Sequence, residues 1–171
     1  MKKDILLVDG YNIIGAWPEL RKLKQESLAE ARDRLIERMA EYKAHTGWRV
    51  IVLFDAHLMR GIEKKDWKHK VEVVFTRENE TADERIEKMV SELSGRRVQI
   101  HVATSDLTEQ WVIFAQGALR KSARELEIEM NEIDKSITKK VKEIQEERPF
   151  SKIQLSDEVA EIFEKWRRGM K

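Results

Sequence analysis

The sequence predicts an α/β fold, a central and mostly parallel sheet covered by helices on both faces. Two observations carry this prediction. Short apolar runs alternate along the chain with longer segments in which apolar residues recur at three- and four-residue steps. The run at 50–54 is apolar throughout, which is typical of a parallel strand buried between helices.

The composition indicates the size of the protein and excludes several kinds of site. The chain has 171 residues, of which 41% are apolar, and a formal net charge of +1. This suits one domain with a real core, and any basic surface must come from local clustering. With no cysteine and four scattered histidines, disulfides, thiolate metal sites and a zinc site are not expected. We also expect no signal peptide and no membrane span, and hence a soluble, cytoplasmic protein.

The predicted strands are the short apolar runs. They are residues 4–8, 50–54, 71–75 and 98–103. The first run leads into Asp9-Gly10, where Gly10 is expected to let the chain turn sharply. A polar loop with Gly15 and Pro18 is predicted before the first helix.

The predicted helices lie between and after the strands. They are residues 25–45, 81–94, 107–116 and 122–147, and Gly47, Gly95 and Gly117 are the predicted stops of the first three. Thr81 with Glu84, and Ser122 with Glu125, have the spacing of a capping box at the start of a helix.

Pro149 is predicted to break the long, highly charged helix at 122–147. A final short helix would follow it, with Val159, Ile162, Phe163 and Trp166 on one face. We therefore predict a main domain over 1–148 and a helical appendage over 149–171, docked on that domain.

Aspartates stand where the predicted strands end. Asp9, Asp55 and Asp106 follow three of the strands, and Asp83 lies in the first turn of the helix after the third strand. The carboxyl ends of parallel strands share one edge of the sheet, so these carboxylates are expected to converge there. Like charges that converge repel one another unless a cation lies between them. Mg²⁺ or Mn²⁺ prefers such oxygen ligands and lowers the pKa of an attacking water.

Each aspartate also has a purely structural explanation that the sequence leaves open. Asp83 would complement a helix dipole, Asp106 would be the N-cap of a helix, and Asp9 would begin an Asx-turn. Three polar residues at the same edge, Asn12, Thr104 and Ser105, are candidates for holding water, ligand or phosphate.

Two basic segments are candidates for contacts with a phosphate backbone. The predicted loop at 60–70 carries Lys64, Lys65 and Lys68, and the predicted start of the long helix carries Arg120, Lys121 and Arg124. The alternatives are a solvated loop and an ordinary charged helix face. The glycine-rich motifs of dinucleotide and P-loop sites are absent from the sequence, so no nucleotide cofactor is expected.

Five short stretches together resemble the NYN domain, a branch of the PIN-like nucleases, and within it the YacP-like subgroup. They are Asp9-Gly10-Tyr11-Asn12, Leu53-Phe54-Asp55-Ala56, Thr81-Ala82-Asp83-Glu84, Ala103-Thr104-Ser105-Asp106, and Gly117-Ala118 with Ser122-Ala123-Arg124-Glu125-Leu126. The resemblance implies a PIN-like three-layer α/β/α sandwich. It also implies Mg²⁺- or Mn²⁺-dependent cleavage of RNA that leaves a 5′-phosphate and a 3′-hydroxyl.

Position by position, the resemblance implies that Asp9, Asp83 and Asp106 are the acidic metal ligands. Asn12 matches the family's asparagine, and Asp55 matches an aspartate after the second strand. For the subgroup, it implies association with the ribosome and cleavage of translated mRNA. The prediction is therefore a metal-dependent endoribonuclease. The alternatives are a non-catalytic RNA- or ribosome-binding module with the same fold and a small-molecule phosphohydrolase.

Overall fold

The computed structural model describes residues 2–56, 67–68, 71–105, 116–153, 167 and 169. The strands are β1 Lys3–Asp9, β2 Arg49–Phe54, β3 Trp67–Lys68, β4 Val71–Phe75, β5 Val98–Ala103 and β6 Leu119–Lys121. The helices are α1 Gly10–Ala16, α2 Pro18–Glu26, α3 Leu28–Thr46, α4 Ala82–Leu93 and α5 Ala123–Ile153.

The strands form one sheet in the order β3-β4-β2-β1-β5-β6. Along this order, the neighbouring strands β4, β2, β1, β5 and β6 are all parallel, and β3 pairs antiparallel with β4. The central strand β1 lies between β2 and β5, and its residues Leu6, Leu7 and Val8 are fully buried. The predicted α/β class with a mostly parallel sheet is confirmed.

Apolar side chains cover both faces of the sheet. On one face, Leu7 of β1 and Leu53 of β2 belong to a core cluster that includes Ile86 and Val90 of α4. Leu6 and Val8 alternate with Leu7 along β1 and therefore point to the other face. Because they too are fully buried, no face of the central strand is left to solvent, as expected for parallel strands.

Side-chain caps fix several helix boundaries. Ser27 Oγ accepts a hydrogen bond from the Glu30 N–H at the start of α3, and Thr81 and Ser122 do the same at the starts of α4 and α5. Gly47 ends α3 with a left-handed φ of 75°, a conformation that suits a residue without Cβ. The last two caps confirm the predicted starts of α4 and α5.

The segment after β1 differs from its prediction. Instead of a polar loop, residues 10–26 form α1 and α2, with Pro18 in the first turn of α2, where its missing N–H costs nothing. Gly10 is helical rather than the corner of a loop. It lies against β2, where a methyl group would be 2.4 Å from Phe54 Cε1 and 2.9 Å from the Leu53 carbonyl oxygen. Close approach, not a turn, is what requires glycine here.

Two strands and one helix end also differ from their predictions. The predicted loop contains β3, and Arg120 and Lys121 lie on β6 instead of opening the long helix. β6 is short and polar, so it lacks an apolar signature, but it pairs in register with β5. Helix α4 ends at Leu93 with Ser94 as its cap, before Gly95.

The long helix α5 continues through Pro149 to Ile153, so the predicted break is wrong. Proline has a φ that suits a helix and removes one hydrogen bond, so it weakens a helix without forbidding it. The predicted helices at 107–116 and after 156 fall outside the described residues, apart from Gln116, Arg167 and Gly169.

The chain forms two compact units, Met1–Asn131 and Glu132–Lys171. The first contains the whole sheet. The described part of the second is mainly the remainder of α5. The predicted division at 148 and 149 stays a prediction. None of the described helices combines the length and the apolar composition that a bilayer crossing needs.

Candidate active site

Asp9 is the last residue of the central strand and the N-cap of α1, but its side chain makes no capping hydrogen bond. The residue is only 8% exposed. Thr104, which follows β5, donates a long hydrogen bond from Oγ1 to Asp9 Oδ2, at 3.4 Å. The Asx-turn explanation for Asp9 is therefore removed, and a nearly buried carboxylate remains at the carboxyl edge of the sheet.

Asp83 lies on the same side of the sheet as Asp9. Asp9 alternates in phase with Leu7, which belongs to the core cluster beneath α4. Asp83 is three and seven residues before Ile86 and Val90, the α4 residues in that cluster, so it shares their sheet-facing stripe. Asp83 is half-buried. Both aspartates therefore stand at one edge of the sheet and on one face of it.

Thr81, not Asp83, provides the cap of α4, through a 3.2 Å hydrogen bond from the Glu84 N–H. Asp83 still gains from the helix dipole in the first turn, so that explanation of its position remains alongside a role as ligand. Two glutamates, Glu80 and Glu84, lie near Asp83 in the sequence. Glu84 is exposed, whereas Glu80 forms an ion pair with Arg85 at 3.7 Å.

Asn12 ties α1 to the chain that leaves β5. Its Oδ1 accepts two hydrogen bonds from Ser105, one from the main-chain N–H and one from Oγ, both at 2.7 Å. The sequence placed both residues at this edge but did not predict their bond. The contact fixes the position of Ser105, which immediately precedes Asp106. Asp106 itself lies outside the described residues.

Asp55 follows β2 and is half-buried. The ring of Tyr11 packs on Phe54, the last residue of β2, with centroids 5.1 Å apart. Arg32 of α3 donates a hydrogen bond from Nη1 to the Tyr11 hydroxyl at 3.2 Å. Burial raises the pKa of Tyr11, Arg32 opposes that rise, and the negative charge of Asp55 adds to it. Asp55 is thus electrostatically coupled to the Tyr11 phenol.

Sequence reasoning did not select Tyr11 or Arg32. Tyr11 stands inside the Asp9-Gly10-Tyr11-Asn12 stretch, which was a usable signal. Arg32 has none, because it is one of many charged residues on a long helix.

The lysine and arginine side chains predicted to bind substrate differ in their exposure and in their partners. Lys121 is 13% exposed, forms an ion pair with Glu129, and lies 5.4 Å from the ring centroid of Trp48. Arg120, its neighbour on β6, is half-buried, and Arg124 is exposed in the first turn of α5. Lys64, Lys65 and the side chain of Lys68 lie outside the described residues.

The donor chemistry of this edge fits a hard divalent cation. Asp9 and Asp83 offer carboxylate oxygens, which Mg²⁺ and Mn²⁺ prefer. Within the described part of the chain, no three His, Cys, Asp or Glu side chains lie close enough together to hold a metal ion. The third predicted ligand, Asp106, is not among those residues.

Comparison with known proteins places the chain in a family. It matches the YacP-like NYN domain over residues 6–168. It is 64% identical over 166 residues to a Bacillus subtilis (strain 168) protein described as "Uncharacterized protein YacP", covering 97% of this chain and 98% of that one.

Two crystal structures described as Rae1 (YacP) from Bacillus subtilis share the fold. The first is 64% identical, with a TM-score of 0.76, and the match covers 97% of this chain and 95% of that one. The second, of a single-residue mutant, is 60% identical, with a TM-score of 0.75 and 83% of each chain covered. The α/β fold of the PIN-like type is thereby confirmed. The chain belongs to the YacP-like NYN domain family, a family of the nuclease type.

Proposed function

We propose that the protein is a metal-dependent endoribonuclease that cleaves mRNA in association with translating ribosomes in the cytoplasm. The observation that carries the proposal is the burial and position of the Asp9 carboxylate. Its carboxylate is nearly buried at the carboxyl edge of the sheet and does not cap the helix that follows. A nearly buried carboxylate at the carboxyl edge of a parallel sheet lies where ligand sites of α/β folds are found, and carboxylate oxygens are the ligands that a hard divalent cation prefers.

In this proposal Asp9, Asp83 and Asp106 would hold Mg²⁺ or Mn²⁺, with Asp55 as a further candidate. When bound, such an ion offsets the charge of the carboxylates and the phosphodiester and makes water more acidic. The chain's own residues do the positioning. Thr104 orients the Asp9 carboxylate through its hydroxyl.

Asn12 has a positioning role in the proposal, since it anchors the chain at Ser105. Because its oxygen already accepts two hydrogen bonds from Ser105, the amide nitrogen of Asn12 is the group that would orient water or phosphate. The reaction would be hydrolysis of an RNA phosphodiester, leaving a 5′-phosphate and a 3′-hydroxyl.

The ribosome and mRNA enter the proposal through the family. The net charge of +1 gives little long-range attraction to RNA, so a partner that brings the RNA to the site would raise its local concentration. Exposed Arg124 and the basic segment with Lys64, Lys65 and Lys68 are the proposed contacts with RNA or ribosome.

The experiment compares wild type with Asp9→Asn and Asp4→Asn, using an mRNA reporter with and without translating ribosomes, in Mg²⁺ and in Mn²⁺. Asp4 is a matched control because it lies on the same strand near its other end, 3.0 Å from His101 Nε2. Loss of groups that merely orient a metal ligand costs about 10- to 100-fold, so Asp9→Asn should lose at least about 100-fold. Asp4→Asn should cleave like wild type.

Three outcomes would contradict parts of the proposal. Wild-type cleavage by Asp9→Asn would refute the site. RNA binding without cleavage under every condition would indicate a non-catalytic binding module. Hydrolysis of nucleotides or phosphomonoesters, with RNA left intact, would indicate a small-molecule phosphohydrolase.

A further inference from the structure

We infer that Tyr11 and Arg32 form a phosphate-binding pair at the rim of the proposed active site, where they take a backbone phosphate of single-stranded RNA. This inference rests on the proposed function for the identity of its ligand. It adds two residues from different helices, α1 and α3, to the substrate-binding groups predicted from the sequence.

Position is the first support. Helix α3 leads into β2, which is parallel to β1, so the start of α3 lies near the carboxyl edge of the sheet. Arg32 is in the second turn of α3 and is half-buried. It reaches Tyr11, which is two residues after Asp9, through the 3.2 Å hydrogen bond from Nη1.

The second support is that the pair is held in place. The Tyr11 ring packs on Phe54 at 5.1 Å, and Phe54 is fully buried and stacks in turn on Phe75 at 5.8 Å. Because the ring is fixed, the hydroxyl is fixed, and the hydroxyl orients the guanidinium. Binding through a group that is already ordered costs less side-chain entropy.

The third support is the chemistry of the donors. Tyr11 accepts from Arg32 and keeps its hydroxyl proton to donate, and a guanidinium carries several N–H donors in a fixed fork. Two donors on adjacent groups, one of them cationic, match the oxygens of a phosphodiester. The Arg32 guanidinium also supplies positive charge beside carboxylates that would otherwise repel the RNA.

Arg34 shows by contrast what a structural arginine on the same helix looks like. Its guanidinium bonds to two carboxylates, Glu19 at 2.7 Å and Glu37 at 3.2 Å. Arg32 instead donates to the neutral phenol of Tyr11, and within the described part of the chain its guanidinium forms no ion pair like those of Arg34. Arg34 is therefore the matched control for Arg32.

The test measures the affinity of full-length protein for a single-stranded RNA oligonucleotide over a series of monovalent salt concentrations. All variants carry Asp9→Asn, so that RNA is bound and not cut. Each phosphate contact adds about 0.7 to the slope of log K against log salt for single strands. Arg32→Gln should lower that slope by about 0.7 and weaken binding several-fold, whereas Arg34→Gln should leave the slope unchanged.

Two further variants separate charge from geometry. Tyr11→Phe keeps the ring on Phe54 but removes the hydroxyl, so binding should weaken a few-fold at unchanged slope. Arg32→Lys keeps the charge, so it should keep the slope while losing affinity, and it serves as well if Arg32→Gln does not fold. Equal slopes for Arg32→Gln and its parent would overturn the inference, and so would a parent that shows no salt-dependent RNA binding.

The outcomes also distinguish this inference from the proposed function. If wild type cleaves RNA through Asp9 and Arg32→Gln keeps the full slope, the phosphate-binding pair alone is refuted. If Arg32→Gln loses slope but wild type never cleaves RNA, the pair stands and the catalytic proposal fails.

Discussion

Gly10 is where the first helix comes closest to the sheet, and Gly10→Ala is the sharpest test of this packing. A methyl group at this position would lie 2.4 Å and 2.6 Å from two ring carbons of Phe54, and 2.9 Å from the carbonyl oxygen of Leu53. Gly15, in the same helix, would place its methyl group with nothing within 4 Å. The two glycines therefore form a matched pair.

The magnitude follows from two opposing effects. Replacing glycine by alanine in a helix is worth about 0.5–1 kcal/mol of stability, because the unfolded chain loses freedom. Overpacking a core contact costs about 1–3 kcal/mol. The Phe54 ring cannot move away easily, because it is fully buried between the rings of Tyr11 and Phe75. Gly15→Ala should thus stabilise by up to about 1 kcal/mol, and Gly10→Ala should be less stable than Gly15→Ala by about 1–3 kcal/mol.

The assay is urea unfolding of the wild type and both variants, read as midpoint and slope. The difference between the variants cancels much of the shared change in helix propensity. In a heating experiment the same difference corresponds to about 2–4 °C per kcal/mol for a chain of this size. If Gly10→Ala is as stable as Gly15→Ala, the close approach of α1 to β2 is wrong.

The remaining predictions concern contacts around the same sheet. Asn12→Ala removes both hydrogen bonds to Ser105; it should lower RNA cleavage markedly while costing only about 1 kcal/mol in urea unfolding, because Ser105 is exposed, and unaltered cleavage would refute its positioning role. Trp17→Phe removes the 2.8 Å bond from Nε1 to the main-chain carbonyl of the first residue of α5, so unfolding should become easier by about 1–3 kcal/mol, and an unchanged midpoint would contradict that contact. Burial and Glu129 raise the pKa of Tyr42 above its ordinary value. The stability from this shift is present below about pH 10 and lost as the pH rises above it, at up to about 1.4 kcal/mol per pH unit. In Tyr42→Phe, urea midpoints should therefore fall less steeply above pH 10 than in wild type, and equally steep curves would refute the shift.

The sheet was predictable because strand signals are local. The runs at 4–8, 50–54, 71–75 and 98–103 are mainly apolar, and each corresponds to an observed strand within one residue at either end. β6 was not predictable in this way. Its three residues are stabilised by pairing with β5, a contact between distant parts of the chain that leaves no pattern in the short, polar strand itself.

Helices α1 and α2 were missed for a different reason. Gly15 and Pro18 suggested a loop, although proline at the first position of a helix is a start signal. Gly10 was read as a turn residue because the sequence shows only the absence of a side chain. The reason for that absence is the neighbouring Phe54, which lies on another strand.

The same distinction between local signals and contacts between distant residues applies to the candidate site. The common edge of Asp9 and Asp83 was predictable from their positions after a strand and at the start of a helix, whereas their common face follows only once the core cluster beneath α4 is known. The bond from Ser105 to Asn12 depends on the register of β1 against β5, in which Val8 lies opposite Ala103. Register between strands far apart in sequence is set by the whole sheet, so this contact required the structure.

The helical start of α1 explains how three consecutive residues, Gly10, Tyr11 and Asn12, contact three different elements around one site. Successive side chains on a helix point about 100° apart, so each can reach a different element. Gly10 lies against β2, Tyr11 reaches Arg32 on α3, and Asn12 reaches the chain after β5. In the loop that the sequence suggested, no such fixed divergence exists. Because these contacts share one short helix, we expect their substitutions to be non-additive. Gly10→Ala displaces the helix and should already weaken the Tyr11 contact, so adding Tyr11→Phe to Gly10→Ala should cost RNA affinity less than Tyr11→Phe costs alone.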